Sequence, residues 1–234
     1  MNYFAHGYQF IEDPYFLSGT AVPDWLAVID RRVRARARLA RPWTADPDTQ
    51  VAAVAAGVVR HHEDDAWFHR TRAFAELSLT LTVEAREVLA GESGFRPSFL
   101  GHILVEVLLD STLIAQDVGR LDRYYRALES IDPAAVTRAV ERMSTGLVPT
   151  LEKLISLFCT ERFLYDYLDD ATLLCIQAGN VNSGAFDPAA ELCAQAREAG
   201  AWAHVDGAFG LWMAATSRGA DLMAGYDLAD SWAT

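Results

Sequence analysis

From its start to about residue 171 the chain repeats one pattern. Apolar residues return every three or four positions, as in Leu151, Leu154, Ile155 and Phe158, the spacing of one face of an α-helix. The pattern predicts helices over 24–41, 49–70, 71–90, 98–115, 118–128, 133–143 and 147–169. Pairs such as Asp46-Pro47 and Asp132-Pro133 mark helix starts. The aspartate accepts hydrogen bonds from the first turn, and proline already has the helical φ. No strand-like alternation stands out in this stretch.

Near Thr172 the texture changes. Leu173-Leu174-Cys175-Ile176 is a short continuous apolar run, suited to a buried strand. A loop follows, then Asp187-Pro188 opens a helix that ends at Gly200, and Ala201-Trp202-Ala203-His204-Val205-Asp206 reads as a second strand. Strand, helix and strand at this spacing form a βαβ unit, whose strands should run parallel and bury both faces. The expected class is therefore α plus α/β: an all-helical domain over 1–171, then an incomplete βαβ piece over 172–234. No linker rich in Gly, Ser or Pro separates them.

At 234 residues and 51% hydrophobic content, the chain can build one sizeable core or two small ones. No apolar run approaches the length of a bilayer span, and Met1 to Phe10 lacks a basic segment leading into an apolar one. The expectation is a cytoplasmic protein with no membrane partner. A net charge of −12 argues against general nucleic-acid binding. Cys159, Cys175 and Cys193 lack metal-type spacing and are expected to be buried reduced thiols. Lys153 is the only lysine, against nineteen arginines, a bias of coding composition and not of function. Arg31, Arg32, Arg34, Arg36, Arg38 and Arg41 make a basic run in an acidic chain. It is either a solvated helix face or a dock for an acidic protein partner.

Two expected helices carry polar stripes on apolar faces. His61, Asp65 and His69 are spaced by four, with His62 beside them, and His102, Glu106 and Asp110 repeat that spacing. Burying such groups costs several kcal/mol unless they pair or bind a metal. His6 and Asp24 could complete a cluster. Mixed imidazole and carboxylate ligands suit zinc, manganese or iron, which would activate water against a phosphodiester. Paired core residues in a structural polar network are the alternative. Met1-Asn2-Tyr3-Phe4-Ala5-His6, Gly19-Thr20-Ala21-Val22-Pro23-Asp24 and the His62, Asp65, His69 stripe make residues 1–171 similar to the acyl carrier protein phosphodiesterases, helical relatives of the HD-type metal hydrolases. His102 and Glu106 copy no motif of that group. The resemblance implies an acidic carrier protein as the partner of the arginine run.

The run Gln177-Ala178-Gly179-Asn180-Val181-Asn182-Ser183-Gly184-Ala185-Phe186-Asp187-Pro188 resembles a loop of the fold-type I decarboxylases that depend on pyridoxal phosphate (PLP), the glutamate and aromatic-amino-acid decarboxylase group. Ala201 to Gly210 and Asp230-Ser231-Trp232-Ala233-Thr234 resemble that family's next two motifs, in order. The resemblance implies that 172–234 is part of an aspartate aminotransferase-like large domain, a carboxy-lyase acting on an amino acid. It implies Asp206 beside the pyridinium nitrogen, where a carboxylate keeps the ring protonated. It places Ala208 under the ring, Asn180 and Asn182 at the cofactor mouth, Ser231 near the phosphate and His204 in a structural role. A homodimer is also implied. The family's Schiff-base lysine would follow Thr234, and 172–234 contains none, so the expected segment is truncated and inactive as a decarboxylase. Three readings stand open: a decarboxylase fragment, a metal-dependent hydrolase in 1–171, and a non-enzymatic helical binding module joined to a relic.

Overall fold

A computed structural model describes residues 1–88, 96–168, 173–179, 184–207, 210–216 and 219–233. They form two compact units, divided between Leu168 and Asp169. At the coarse level the class is α plus α/β.

The first unit is helical: α1 Tyr3–Gly7, α2 Pro14–Ile29, α3 Ala37–Ala40, α4 Thr49–Phe68, α5 Arg72–Val88, α6 Pro97–Gln116, α7 Val118–Glu129, α8 Pro133–Met143 and α9 Leu151–Glu161, with 3-10 turns at Arg41–Trp43 and Phe163–Leu168. Its core includes Phe4, Leu17, Trp25, Leu26, Tyr124, Tyr125, Leu151 and Ile155, all at most 1% exposed. Each large side chain buried this way stabilises the unit by about 1.5–3 kcal/mol. Helices α2 and α4 approach one another closely. A Cβ on Gly57 would lie 2.2 Å from the Phe16 carbonyl oxygen, and one on Gly19 would lie 2.3 Å from that of Val54. Only two glycines allow backbone to meet backbone there.

Several expectations need correction. No single helix covers 24–41. Asp13 accepts from the Phe16 N–H and Pro14 occupies the first turn, so α2 begins ten residues earlier than Asp24. It stops at Ile29 because Asp30 is extended and turns its carboxylate onto the Arg32 guanidinium and backbone N–H. The arginines at 31, 32, 34 and 36 therefore lie in a connecting segment, not on one helix face. Val33 and Ala35 alternate with them at period two, which is the extended-chain signature. The helix expected over 147–169 breaks at Arg162, which takes left-handed φ 48, and continues only as a 3-10 turn. At Asp46-Pro47 the cap is instead Asp48, which accepts from Gln50 and Val51, while Asp46 accepts from the Asp48 N–H. Helix α6 also corrects the view that no apolar run approaches a bilayer span: it has 20 residues and mean hydropathy 1.6. Its acidic residues are used inside the helical unit, as described below.

The second unit contains β1 Leu173–Gln177, α10 Ala189–Glu198, β2 Trp202–Asp206, α11 Gly219–Leu222 and β3 Ser231–Ala233, with 3-10 turns at Leu211–Ala215 and Tyr226–Leu228. The strands are parallel in the order β1-β2-β3, with Leu173 opposite Trp202 and His204 opposite Ser231. The parallel βαβ expectation holds, but burial of both faces does not. On β2, Ala203 and Val205 are buried while Trp202 and Asp206 are exposed. Asp187 does not cap α10; its carboxylate accepts from the Gln177 N–H at 2.6 Å. The Tyr226 hydroxyl ties the end of β1 to the approach to α10, reaching the Gln177 carbonyl at 2.6 Å and that of Asp187 at 3.1 Å. Cys193 is buried in this core, Cys159 is only half-buried in the helical unit, and the Cys175 side chain lies outside the described residues.

Candidate metal centre

The expected cluster in the helical unit forms from three helices. Helix α1 brings His6, α4 brings His61, Asp65 and, at its C-cap, His69, and α6 brings His102 and Glu106. The stripe on α4 divides between two groups. His6, His61 and Asp65 offer ligand atoms within 4.8 Å of one another, and so do His69, His102 and Glu106.

In the first group the His61 and His6 rings stack at 4.0 Å. His61 Nδ1 lies 2.8 Å from the Thr20 carbonyl oxygen. A carbonyl only accepts, so Nδ1 carries the proton and Nε2 presents its lone pair. That lone pair lies 3.5 Å from Asp65 Oδ2, so two electron-rich atoms face one another with no proton between them. Second-shell carbonyls fix metal-binding histidines in this way. Burial, then the nearby His6, hold the His61 imidazole well below its ordinary range, so it stays neutral. Helix α2 supplies this carbonyl, and Gly19, next to Thr20, lets α2 approach α4 closely enough for His61 to reach it. His6 is 1% exposed, and both its ring nitrogens lack a hydrogen-bond partner among the described residues. Its Nε2 is 3.3 Å from Asp65 Oδ1, without hydrogen-bond alignment.

In the second group His69 Nε2 is 3.0 Å and His102 Nε2 3.3 Å from the same Glu106 Oε1. A positive charge lies between the groups. The Met1 α-ammonium is 2.7 Å from Asp65 Oδ1 and 3.0 Å from Glu106 Oε1. Burial alone would raise both carboxyls. For Asp65 the Met1 ammonium reverses that effect, and for Glu106 the ammonium does so together with His69. Both are held below their ordinary range. Burial likewise opposes the ammonium, but the two carboxylates raise it.

Two more acids surround the centre. Asp110, on α6 and fully buried, accepts from the Phe4 and Ala5 N–H groups at 2.9 and 2.8 Å. It caps α1 from another helix and so fixes His6; burial pushes its carboxyl up to about 7, against the pull of those N–H groups. Asp24 keeps some exposed surface, but its Oδ2 is enclosed and has no hydrogen-bond partner among the described residues. Burial and the charge of Asp65 push it up to about 8. His62 joins neither group, since its Nε2 is held 2.8 Å from the Ala35 carbonyl. Sequence reasoning missed the Met1 ammonium and the Thr20 carbonyl. Backbone groups leave no mark in residue type; the only local signal is Gly19 and Pro23 around Thr20.

The donor set, imidazoles with two carboxylates held below their ordinary range, could hold a divalent metal of the zinc, manganese or iron kind. A network of satisfied pairs would leave neither the His6 ring nitrogens nor Asp24 Oδ2 without a hydrogen-bond partner among the described residues.

The second unit places Asp206 at the C-terminal end of β2, where parallel sheets present ligand-binding groups. The Ser231 hydroxyl is engaged by Trp202 Nε1 and His204 Nδ1, each at 2.8 Å. Asn180, Asn182 and Ala208 lie outside the described residues. PLP chemistry needs a lysine, and this unit has none; Lys153 is on α9 of the helical unit. No family model, curated protein or solved structure matches the chain.

Proposed function

We propose that the helical unit is a metal-dependent hydrolase acting on a phosphate ester. The observation that carries this reading is the pair of His/His/carboxylate groups on α1, α4 and α6, whose carboxylates share one cation. A bound divalent metal would activate water and polarise a phosphoryl oxygen. In the hydrolysis the water oxygen bonds to phosphorus, the ester P–O bond breaks and the departing oxygen takes a proton. Asp65 and Glu106 supply negative charge to hold the cation. The Thr20 carbonyl keeps the His61 lone pair directed at the centre. Asp24 retains its proton near neutral pH and is the acid available to the leaving oxygen.

The test is metal content of the purified protein, compared with His61→Ala and Asp65→Ala. We expect near-stoichiometric manganese, iron or zinc in the parent, at least tenfold less in each variant, and phosphodiester hydrolysis that follows the metal. A folded parent without metal, or hydrolysis indifferent to both substitutions, would remove the reading. The acidic carrier protein inferred for the arginine run belongs to the same proposal. In the structure Arg31, Arg32, Arg36, Arg38 and Arg41 are exposed, although Arg32 and Arg41 already pair with Asp30 and Glu63.

A further inference from the structure

Beside the centre is a cavity of about 490 Å³, lined by His6 together with Phe10, Trp67, Phe68, Leu109 and Leu113. Its size is that of a small-molecule site. Leu113 packs against the edge of the buried core, and the other four lie outside it. Helix α4 buries Val51, Val54, Ala55 and Val58, whereas Trp67 near its C-terminus is 62% exposed. Phe10, Phe68, Leu109 and Leu113 are half-buried. The charged residues of the wall are already paired. Arg60 Nε donates to Asp64 at 2.8 Å, and its guanidinium lies 5.4 Å over the Phe10 ring. A cavity lined largely by aromatic and aliphatic side chains, whose charged groups are already paired, suits an uncharged apolar group. Met1 and His6 line the cavity and also belong to the candidate centre, so whatever fills it ends at the reacting group.

We propose that this cavity binds an apolar alkyl or aryl substituent of the substrate, which makes the substrate an amphiphilic phosphate ester. The proposal rests on the hydrolase reading for the reaction and on the cavity alone for binding.

Two measurements on the full chain separate these. The first is kcat/KM of the manganese-loaded protein for p-nitrophenyl esters of methyl, butyl, octyl and phenyl phosphate. Each methylene that enters the cavity should raise it about two- to fourfold until the space is full. Comparison of the octyl and phenyl esters shows whether alkyl or aryl groups fit better. Leu113→Trp, which fills the cavity, and Trp67→Ala, which removes an exposed wall, should both lower the octyl-to-methyl ratio at least threefold. The second is calorimetric binding of butyl and octyl phosphate to the protein as purified. Tighter octyl binding that Leu113→Trp abolishes supports the cavity even if no ester is turned over, a result that would sink only the hydrolase reading. Turnover independent of chain length, or equal affinity for the two alkyl phosphates, overturns the cavity proposal.

Discussion

At Asp24 the folded protein holds a proton that the unfolded chain would release. The carboxyl titrates at about 8 when folded, chiefly through burial, against 3.8 for an ordinary aspartate. Between those values the folded state binds more protons, so raising the pH draws the equilibrium toward unfolding. Asp24's contribution is complete below about pH 4 and is lost as pH rises through about 8. His61 works in the opposite sense, because its imidazole is neutral when folded and takes a proton on unfolding in acid. Asp24→Asn keeps the shape and removes the titration. In denaturant unfolding of metal-free protein, the stability of the variant relative to the parent should rise between pH 5 and pH 8.5 by on the order of 4 kcal/mol. A difference that stays flat across that range would show that Asp24 does not keep its proton.

Helices α2 and α4 set the register on which the centre depends, and their contact rests on Gly19 and Gly57. Gly57→Ala improves helix propensity by up to about 1 kcal/mol, but its Cβ would lie 2.2 Å from the Phe16 carbonyl oxygen. Separating the helices should cost about 1–3 kcal/mol and loosen the His61 contact with Thr20. Thermal unfolding and metal content should both fall in this variant. An unchanged melting temperature with full metal would mean that the two backbones are not in contact. Much of this scale was legible in sequence, because apolar periodicity located α4, α6, α7 and α8 to within a residue or two. The 24–41 segment was not, since its arginines hid the period-two alternation of Val33 and Ala35. Seven of the eight expected metal-site residues lie in or around the cluster. His62 does not, because positions 61 and 62 look alike in sequence and only the α2 carbonyls distinguish them. The division of the α4 stripe between two groups was invisible, since it depends on where α6 crosses.

The two units differ in how much apolar surface they bury. Five of the nine buried residues in the second unit's core are alanine, whereas the helical unit buries Trp25, Tyr124, Tyr125 and a set of leucines and isoleucines. Alanine contributes little transfer free energy, so the second unit should be the weaker of the two. Limited proteolysis of the full chain should therefore cut within 169–234 first and leave a helical fragment ending near Leu168. Earlier cleavage inside α4, α7 or α8 would reverse that order. The clamp of Asp110 on α1 has a consequence during synthesis. Asn2 caps the Tyr3 N–H locally, but the carboxylate that receives the Phe4 and Ala5 N–H groups lies 106 and 105 positions later in the chain. At ribosomal speeds this is a wait of roughly 5–20 s. Throughout it, the Phe4 and Ala5 N–H groups lack their carboxylate, although α2 and α4 already offer Phe4 and His6 packing partners.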